Sequence, residues 1–202
     1  SDVYKRQSEG RSGQGMVVMG AKKKSKIQYT NFIGLSNPSR DGWGLTGAVT
    51  FYESPVTLSN VRFSNNQSED ALNIIRSKFT LENAVFHNSS SDGLDVDFSQ
   101  GTIKNISFLN IGNDALDAYG SNIRVESIFF NGIKDKGISA GEKSRVVIDM
   151  LEGKNSRIAI ASKDQSEVFV KNAKVENMEI GFAVFQKKTE FGPGTIEIQS
   201  LE

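Results

Sequence analysis

Small and apolar residues recur every 22 residues along most of this chain. The small residues of the series are Ala71, Gly93, Ala115, Gly137, Ala159 and Gly181, and the apolar residues that follow them are Leu72, Leu94, Leu116, Ile138, Ile160 and Phe182. A fixed spacing of about 20 to 50 residues is typical of a solenoid, in which each repeat packs only on its neighbours. We therefore expect both series to form stacks along the axis of a solenoid.

The second half of each repeat alternates between apolar and polar positions. Segments 56–63, 79–86, 102–108 and 123–130 are rich in β-branched and aromatic residues, and this period of two indicates a strand with one buried face. The residues predicted to close these strands and to stack on one another are Phe63, Phe86, Phe108, Phe130, Leu151 and Val175.

A residue suited to a tight turn follows most of these apolar positions after two residues. The turn series is Asn65, Asn88, Asn110, Gly132, Gly153 and Asn177. Asn and Gly adopt the left-handed backbone conformation more readily than other residues do. The pattern therefore predicts the same turn at the same point of every repeat.

Together these patterns predict an all-β fold, a single-stranded parallel β-helix with about 22 residues per coil. A leucine-rich repeat is disfavoured because neither half of the unit shows helical spacing. We expect the β-helix to occupy residues 16–202, with an inserted loop at about 34–46. Residues 1–15 lack periodicity and are predicted to be a disordered or artefactual end, in a chain that is a fragment of a longer protein.

Composition excludes several classes of function. The 24 basic residues balance the 24 acidic ones, and basic and aromatic columns do not interleave, so nucleic acid is not an expected partner. No apolar run reaches the roughly 18–20 residues of a membrane span, so we expect no membrane insertion. The sequence contains no cysteine, which excludes disulfides and thiolate metal sites.

Acidic side chains gather in two adjacent repeats. The alternation predicts that Asp95 and Asp97 point outward, and stacking places Asp117 next to Asp95 and Tyr119 next to Asp97. Carboxyl groups this close repel one another unless they are protonated or bridged by a cation. Asp95, Asp97 and Asp117 are therefore candidate catalytic residues and candidate calcium ligands, and calcium is the one cofactor that we consider. The alternative is an acidic face that only solvates the turns.

Four further side chains are candidates for contact with a substrate. Tyr119 and Trp43 could stack on a sugar ring, and Lys136 and Lys163 could neutralise an acidic sugar. The alternative for the two aromatic residues is packing, with Trp43 anchoring the inserted loop. The spacing of these residues does not choose between the two interpretations.

Segments 91–97, 113–121 and 136–144 (SDGLDVD, NDALDAYGS and KGISAGEKS) resemble repeats of the right-handed parallel β-helix superfamily. The superfamily includes pectate lyases, polygalacturonases and alginate epimerases, and the resemblance is greatest to uncharacterised extracytoplasmic bacterial domains. It covers roughly residues 48–185. It implies right-handed coils, a pectin lyase-like fold and a location outside the cell or at its surface.

The catalytic motifs of polygalacturonases are only partly retained. Their Asn-Thr-Asp falls on 90–92 and keeps Asp92, their Asp-Asp falls on 113–114 and keeps Asp114, and Lys136 replaces the histidine of their Gly-His-Gly. We therefore predict an extracellular or cell-surface module that binds or displays polysaccharide, with other domains of the same parent chain as partners. The alternative is a lyase, epimerase or hydrolase that acts on acidic glycans through Asp95, Asp97 and Asp117.

Overall fold

The computed structural model describes residues 13–202, and throughout that range its regular structure is β-strand. No helix that could cross a membrane occurs in this part of the chain. In chain order the strands are β1 (Gly13–Gln14), β2 (Met16–Met19), β3 (Ser25–Ile33), β4 (Leu35–Ser36), β5 (Ser39–Arg40), β6 (Trp43–Gly44), β7 (Gly47–Tyr52), β8 (Val56–Ser64), β9 (Asp70–Ile75), β10 (Lys78–Ser89), β11 (Asp92–Asp97), β12 (Gln100–Ile111), β13 (Leu116–Tyr119), β14 (Asn122–Ile133), β15 (Lys136–Gly141), β16 (Arg145–Lys163), β17 (Glu167–Phe185) and β18 (Thr195–Leu201). Most of the predicted disordered end, residues 1–12, lies outside the described residues, whereas β1 pairs with β4.

The strands stack in parallel on two sides of a solenoid. The short-strand face consists of β2, β7, β9, β11, β13, β15 and the second halves of β16 and β17, paired in that order. The long-strand side consists of β3, β8, β10, β12, β14, the first halves of β16 and β17, and β18. Each side therefore has eight strands, and the predicted parallel β-helix is confirmed.

Apolar stacks fill the interior between these two sides. Leu72, Leu94, Leu116 and Ile138 are fully buried and pair in register from coil to coil, as the 22-residue series predicts. The phenylalanine series forms a second stack that begins one coil earlier than predicted. Its ring centroids lie 4.8, 4.6 and 4.9 Å apart along Phe32, Phe63, Phe86 and Phe108. Each such buried side chain contributes about 1.5–3 kcal/mol to folding.

Two assignments in the later coils are wrong. Phe130 pairs with Gly153, and Leu151 pairs instead with Ile128. The left-handed residue of that coil is Asn155, with φ 49°, rather than Gly153. The turn before β16 contains two consecutive left-handed residues, Glu142 and Lys143, where the two coils before it have one. This extra residue shifts the spacing from 22 to 23, and the prediction kept it at 22.

The glycine at position 153 has a packing cause. A Cβ atom there would collide with the ring of Phe130, so the coil leaves this space to the aromatic side chain below it. The collision explains why the phenylalanine stack ends at Phe130, and Val175 takes the same position one coil further on.

The other predicted turn residues do adopt the left-handed conformation, and their side chains link neighbouring coils. Asn65, Asn88 and Asn110 have φ angles of 57°, 54° and 55°. The amide of Asn88 donates to the side-chain oxygen of Asn65 at 3.2 Å, and that of Asn110 donates to Asn88 at 3.3 Å. Asn at this turn therefore provides both the backbone conformation and a hydrogen bond to the coil below.

A serine ladder runs along the turn that follows the short strands. Each backbone N–H donates to the serine hydroxyl of the next coil, at distances from 2.8 to 3.1 Å. The members of the serine ladder are Ser54, Ser77, Ser99, Ser121, Ser144 and Ser166. All six are buried, so this turn needs an internal partner for its backbone.

Candidate functional site

The short-strand face brings the predicted acidic residues together. Asp95 on β11 pairs with Asp117 on β13, and Asp97 pairs with Tyr119, as the alternation predicts. We call Asp95, Asp97 and Asp117 the acidic row. All three side chains are half-buried, and Asn73 of β9 follows Asp95 on the other side.

A further carboxyl group, that of Asp70, belongs to this cluster and was missed by the sequence analysis. The side-chain nitrogen of Asn73 donates to Asp70 at 3.1 Å and to Asp95 at 3.3 Å, so one amide links both carboxyl groups. Asp70 is only 2% exposed. The signal was present, because Asp70, Asp92 and Asp114 follow one another at the 22-residue spacing.

Burial raises the pKa values of these carboxyl groups. It raises the pKa of Asp95 to about 10, and the neighbouring charges of Asp70 and Asp97 add to the effect. The pKa values of Asp70 and Asp97 rise to about 6, again mainly by burial. At neutral pH Asp95 is therefore protonated while Asp97 is largely ionised. The two side chains sit about 7 Å apart, since they are alternate residues of one strand.

Asp92 and Asp114 hold neighbouring coils together. An oxygen of Asp92 accepts the backbone N–H of Asp114 at 2.7 Å and the side-chain amide of Asn113 at 2.7 Å. Asp114 in turn accepts the backbone N–H of Lys136 at 3.0 Å. Burial raises the pKa of Asp92 to about 7 despite these hydrogen bonds. Both residues therefore have a structural task at the edge of the acidic row.

Lys136 is engaged in ion pairs. Its amino group lies 3.2 Å from a carboxylate oxygen of Asp114 and also contacts the carboxylate of Asp135. Arg157 binds the other side of Asp135 at 2.8 Å. Partial burial would raise the pKa of Asp135, but Lys136 and Arg157 together lower it. Lys136 therefore neutralises carboxylates of the protein itself.

Lys163 lies on the short-strand face beyond Tyr119. It is only 6% exposed, and its amino group donates to the hydroxyl of Ser139 at 2.8 Å. Its side chain crosses Gly141, where a Cβ atom would come 2.8 Å from the lysine Cε. Because Ser139 pairs with Asp117, the buried ammonium group lies at one end of the acidic row.

An aromatic corner stands where the short strands turn, formed by Tyr52, Arg76, Phe98 and Tyr119. The rings of Phe98 and Tyr119 meet edge to face with centroids 4.8 Å apart. The guanidinium of Arg76 lies 5.8 Å from the Phe98 centroid and donates to the Tyr52 hydroxyl at 3.2 Å. With Ile75 and Asp97 these residues line an open depression of about 320 Å³. The sequence analysis missed Phe98 and Arg76.

Phe98 is an unusual residue for its backbone position. Its φ angle is 48°, a conformation that is strained for a bulky side chain, and its side chain remains 54% exposed. Preceding and following coils have Arg76 and Gly120 at the equivalent left-handed position. A strained backbone that presents an exposed aromatic ring is a feature often found at binding sites.

A strap formed by residues 186–194 folds back over this end of the face. Lys188 binds the carboxylate of Glu142 at 2.8 Å, and its amino group lies 3.3 Å from the Tyr119 hydroxyl. The hydrogen bond from Glu142 raises the pKa of Lys188. Buried Asp164 holds the strap in place by accepting the backbone N–H groups of Lys187 and Lys188 at 2.7 and 2.8 Å.

Trp43 lies in the inserted loop, which folds as a small hairpin. Arg40 and Trp43 pair across β5 and β6, and the tryptophan is 48% exposed. The loop meets the acidic cluster through Thr46 at its base, which accepts a hydrogen bond from Asn73 at 3.3 Å. No hydrogen bond of the described residues joins Trp43 to the acidic row, so its sugar-stacking role stays a prediction.

Calcium binding also stays a prediction. Within residues 13–202, no three His, Cys, Asp or Glu side chains are placed so that they could hold a metal ion together. The carboxyl groups of the acidic row are instead linked through Asn73 and, for Asp95, through a retained proton.

The eight-coil parallel solenoid, with a polar row and an aromatic corner on one face, defines a β-helix protein. The chain belongs to the right-handed β-helix family, because the family model described as "Right handed beta helix region" matches residues 46–192. None of the curated proteins compared with the chain matches it, and neither does any solved structure. The predicted fold family is therefore confirmed, while the likeness to extracytoplasmic bacterial domains stays a prediction.

Proposed function

We propose that this chain is a carbohydrate-binding β-helix module whose binding surface is the aromatic corner. The observation that carries this proposal is the exposed ring of Phe98, held in a strained backbone conformation beside Tyr119. Sugar rings present apolar C–H faces that pack on aromatic side chains, while their hydroxyl groups need polar partners at the edge. Asp97 and Arg76 line the same depression and provide an acceptor and a donor.

The surroundings of the corner also suit a glycan. The depression is open rather than enclosed, so it could accept one part of a long chain. Stacked strands hold the side chains at fixed spacing, which limits the conformational entropy lost on binding. A position outside the cell or at its surface, and further domains of a parent chain as partners, accompany this proposal as predictions.

Substitution of Phe98 tests the proposal. We expect Phe98→Asn, which tolerates the left-handed backbone, to weaken binding of the best ligand in an oligosaccharide array by about tenfold. The melting temperature should change little or rise, because the exposed ring is lost and the backbone strain is relieved. Isothermal titration calorimetry on both proteins provides the measurement.

Trp43→Ala is the matched control, because Trp43 is the other exposed large aromatic residue of the described chain that could stack on a sugar. Affinity that falls only in Trp43→Ala would move the binding surface to the hairpin. A wild-type protein that retains no oligosaccharide from the array would contradict the proposal itself.

A second candidate function, glycan cleavage by the acidic row, is favoured by the separated pKa values of Asp95 and Asp97. A protonated carboxyl group and an ionised one about 7 Å apart match the general acid and general base of an inverting glycosidase, which are about 6.5–9.5 Å apart. Asp95 would donate the proton to the leaving oxygen, and Asp97 would activate water. Asp70 and Asn73 would then orient Asp95.

Activity assays distinguish this second function from binding alone. If it operates, pectin, polygalacturonate or alginate should yield new reducing ends, and Asp95→Asn should lower the rate at least about 100-fold, the lower range for loss of a general acid. Asp92→Asn serves as the control because Asp92 is bonded to Asn113 and to the backbone of Asp114. Turnover that persists in Asp95→Asn would exclude this mechanism.

A further inference from the structure

We infer that a cationic patch next to the aromatic corner recognises acidic groups on the bound glycan, which makes an anionic oligosaccharide the ligand class. The cationic patch consists of Arg76, Lys78, Lys143 and Arg145. This inference rests on the proposed carbohydrate binding and adds a site on the adjacent turn. The four residues line one depression of about 500 Å³ that shares Arg76 and Phe98 with the aromatic corner.

Stacking of the coils places the four cations at the two ends of this depression. Lys78 pairs in register with Gln100, Gln100 with Asn122, and Asn122 with Arg145. Three inter-strand steps separate Lys78 from Arg145, which is about 14 Å along the solenoid axis. Arg76 lies two residues before Lys78, and Lys143 two residues before Arg145. Each end therefore carries a pair of positive charges.

The middle of the depression is uncharged and able to bind a sugar. Gln100 and Asn122 present side-chain amides between the two cation pairs. Gly120 forms part of the floor, and a Cβ atom there would come 2.8 Å from the ring of Phe98. The aromatic ring therefore lies over the middle of the depression, with donors and acceptors beside it.

The positive charges are incompletely neutralised by the protein. Among the described residues, no carboxylate lies within 4 Å of the amino groups of Lys78 or Lys143. Arg76 and Arg145 have only exposed partners, Glu53 at 3.8 Å and Glu167 at 3.6 Å. Such solvent-exposed pairs are weak and can exchange for a ligand anion. No acidic residue lines this depression.

This arrangement indicates an extended ligand with negative charges at separated points. Carboxylate or sulfate groups on an oligosaccharide fit it, because the chain would pack on Phe98 while its acidic groups meet the cation pairs. A compact anion such as phosphate would reach only one pair. The shared chemistry is an anionic group on a sugar, and the ligands chosen for the test distinguish carboxylate from sulfate.

Calorimetry with four matched ligands tests the inference. They are tetragalacturonate, its fully methyl-esterified form, a sulfated cellotetraose and unmodified cellotetraose. We expect at least one acidic tetrasaccharide to bind about tenfold or more tightly than its neutral counterpart, with affinity that falls as salt rises. The acidic ligand that gains most identifies the source of the anionic group. Equal binding of acidic and neutral forms would overturn the inference and leave carbohydrate binding intact.

Lys78→Gln/Lys143→Gln is the decisive variant, because neither lysine forms an ion pair with a described carboxylate. It should lose about tenfold in affinity for the acidic tetrasaccharide and keep its weaker affinity for the neutral form. The control is Lys22→Gln/Lys24→Gln, which removes the same charge from exposed lysines elsewhere. Equal losses in both variants would reduce the effect to net charge and overturn the site. Failure of all four ligands to bind, in contrast, would overturn the site together with the proposed function.

Discussion

At the scale of single residues, the acidic cluster is maintained against its own electrostatics. Asp70, Asp92, Asp95 and Asp97 all have pKa values raised chiefly by burial. In the unfolded chain these carboxyl groups return to their ordinary values near 4 and ionise more readily. The folded protein therefore holds protons that the unfolded chain releases, so the cluster makes stability depend on pH.

We predict that the protein is more stable at pH 5 than at pH 8. Stability contributed by these groups is complete below about pH 4 and falls as pH rises toward their folded pKa values, because the unfolded state then binds fewer protons. The loss between pH 5 and pH 8 should be on the order of 2 kcal/mol or more. Urea unfolding at both pH values measures it.

Asp95→Asn checks the cause of this pH dependence. The variant should reduce the difference between the two pH values and be more stable than the wild type at pH 8, because the amide keeps a donor without a proton that can be lost. Stability that rises from pH 5 to pH 8 in the wild type would contradict the assignment of raised pKa values.

At the scale of elements, the turns differ in how they link one coil to the next. At the asparagine turn, side chain bonds to side chain, mostly in exposed positions. At the serine turn, a buried hydroxyl accepts a backbone N–H of the preceding coil. Ser99 also donates to the carbonyl oxygens of Asp97 and Ile74 at 2.8 and 3.1 Å. The serine ladder therefore satisfies backbone groups that water cannot reach.

Ser99→Ala should lower the free energy of unfolding by about 1–3 kcal/mol, because the buried N–H of Ser77 loses its acceptor. Denaturant unfolding measures the change. Ser107→Ala, on the outer side of the next long strand, is the comparison and should change stability by less than about 0.5 kcal/mol. Equal effects of the two substitutions would mean that the ladder contributes no more than an ordinary surface serine.

At the scale of the whole molecule, features that repeat could be predicted from the sequence, and features that occur once could not. The stack of Leu94 on Leu116 follows from periodicity alone, since every coil places the same position inside. The displacement of Leu151 came from one added residue in the turn at 142–143, which a fixed period does not register. Insertions in turns shift the later numbering without disturbing the strands.

The candidate site shows the same division. The outward direction of Asp95 and Asp97 follows from alternation, so the acidic row was predictable. Phe98 was missed because its ring projects from a turn, where alternation says nothing about direction. Lys188 reaches Tyr119 across 69 positions of sequence, and no local pattern encodes a contact of that kind. Asp70 needed the spacing of the acidic residues to be followed one coil further back.

The strap that joins Lys188 to Tyr119 has a mechanical consequence. A solenoid whose coils touch only their neighbours unzips one coil at a time when its last strand is pulled along the axis. Here the strap ties Asp164, Glu142 and Tyr119, which belong to three successive coils, to a single segment. Tension applied beyond residue 194 therefore has to break this clamp before the coils beneath it can peel away singly, so the three coils would yield as one block under load.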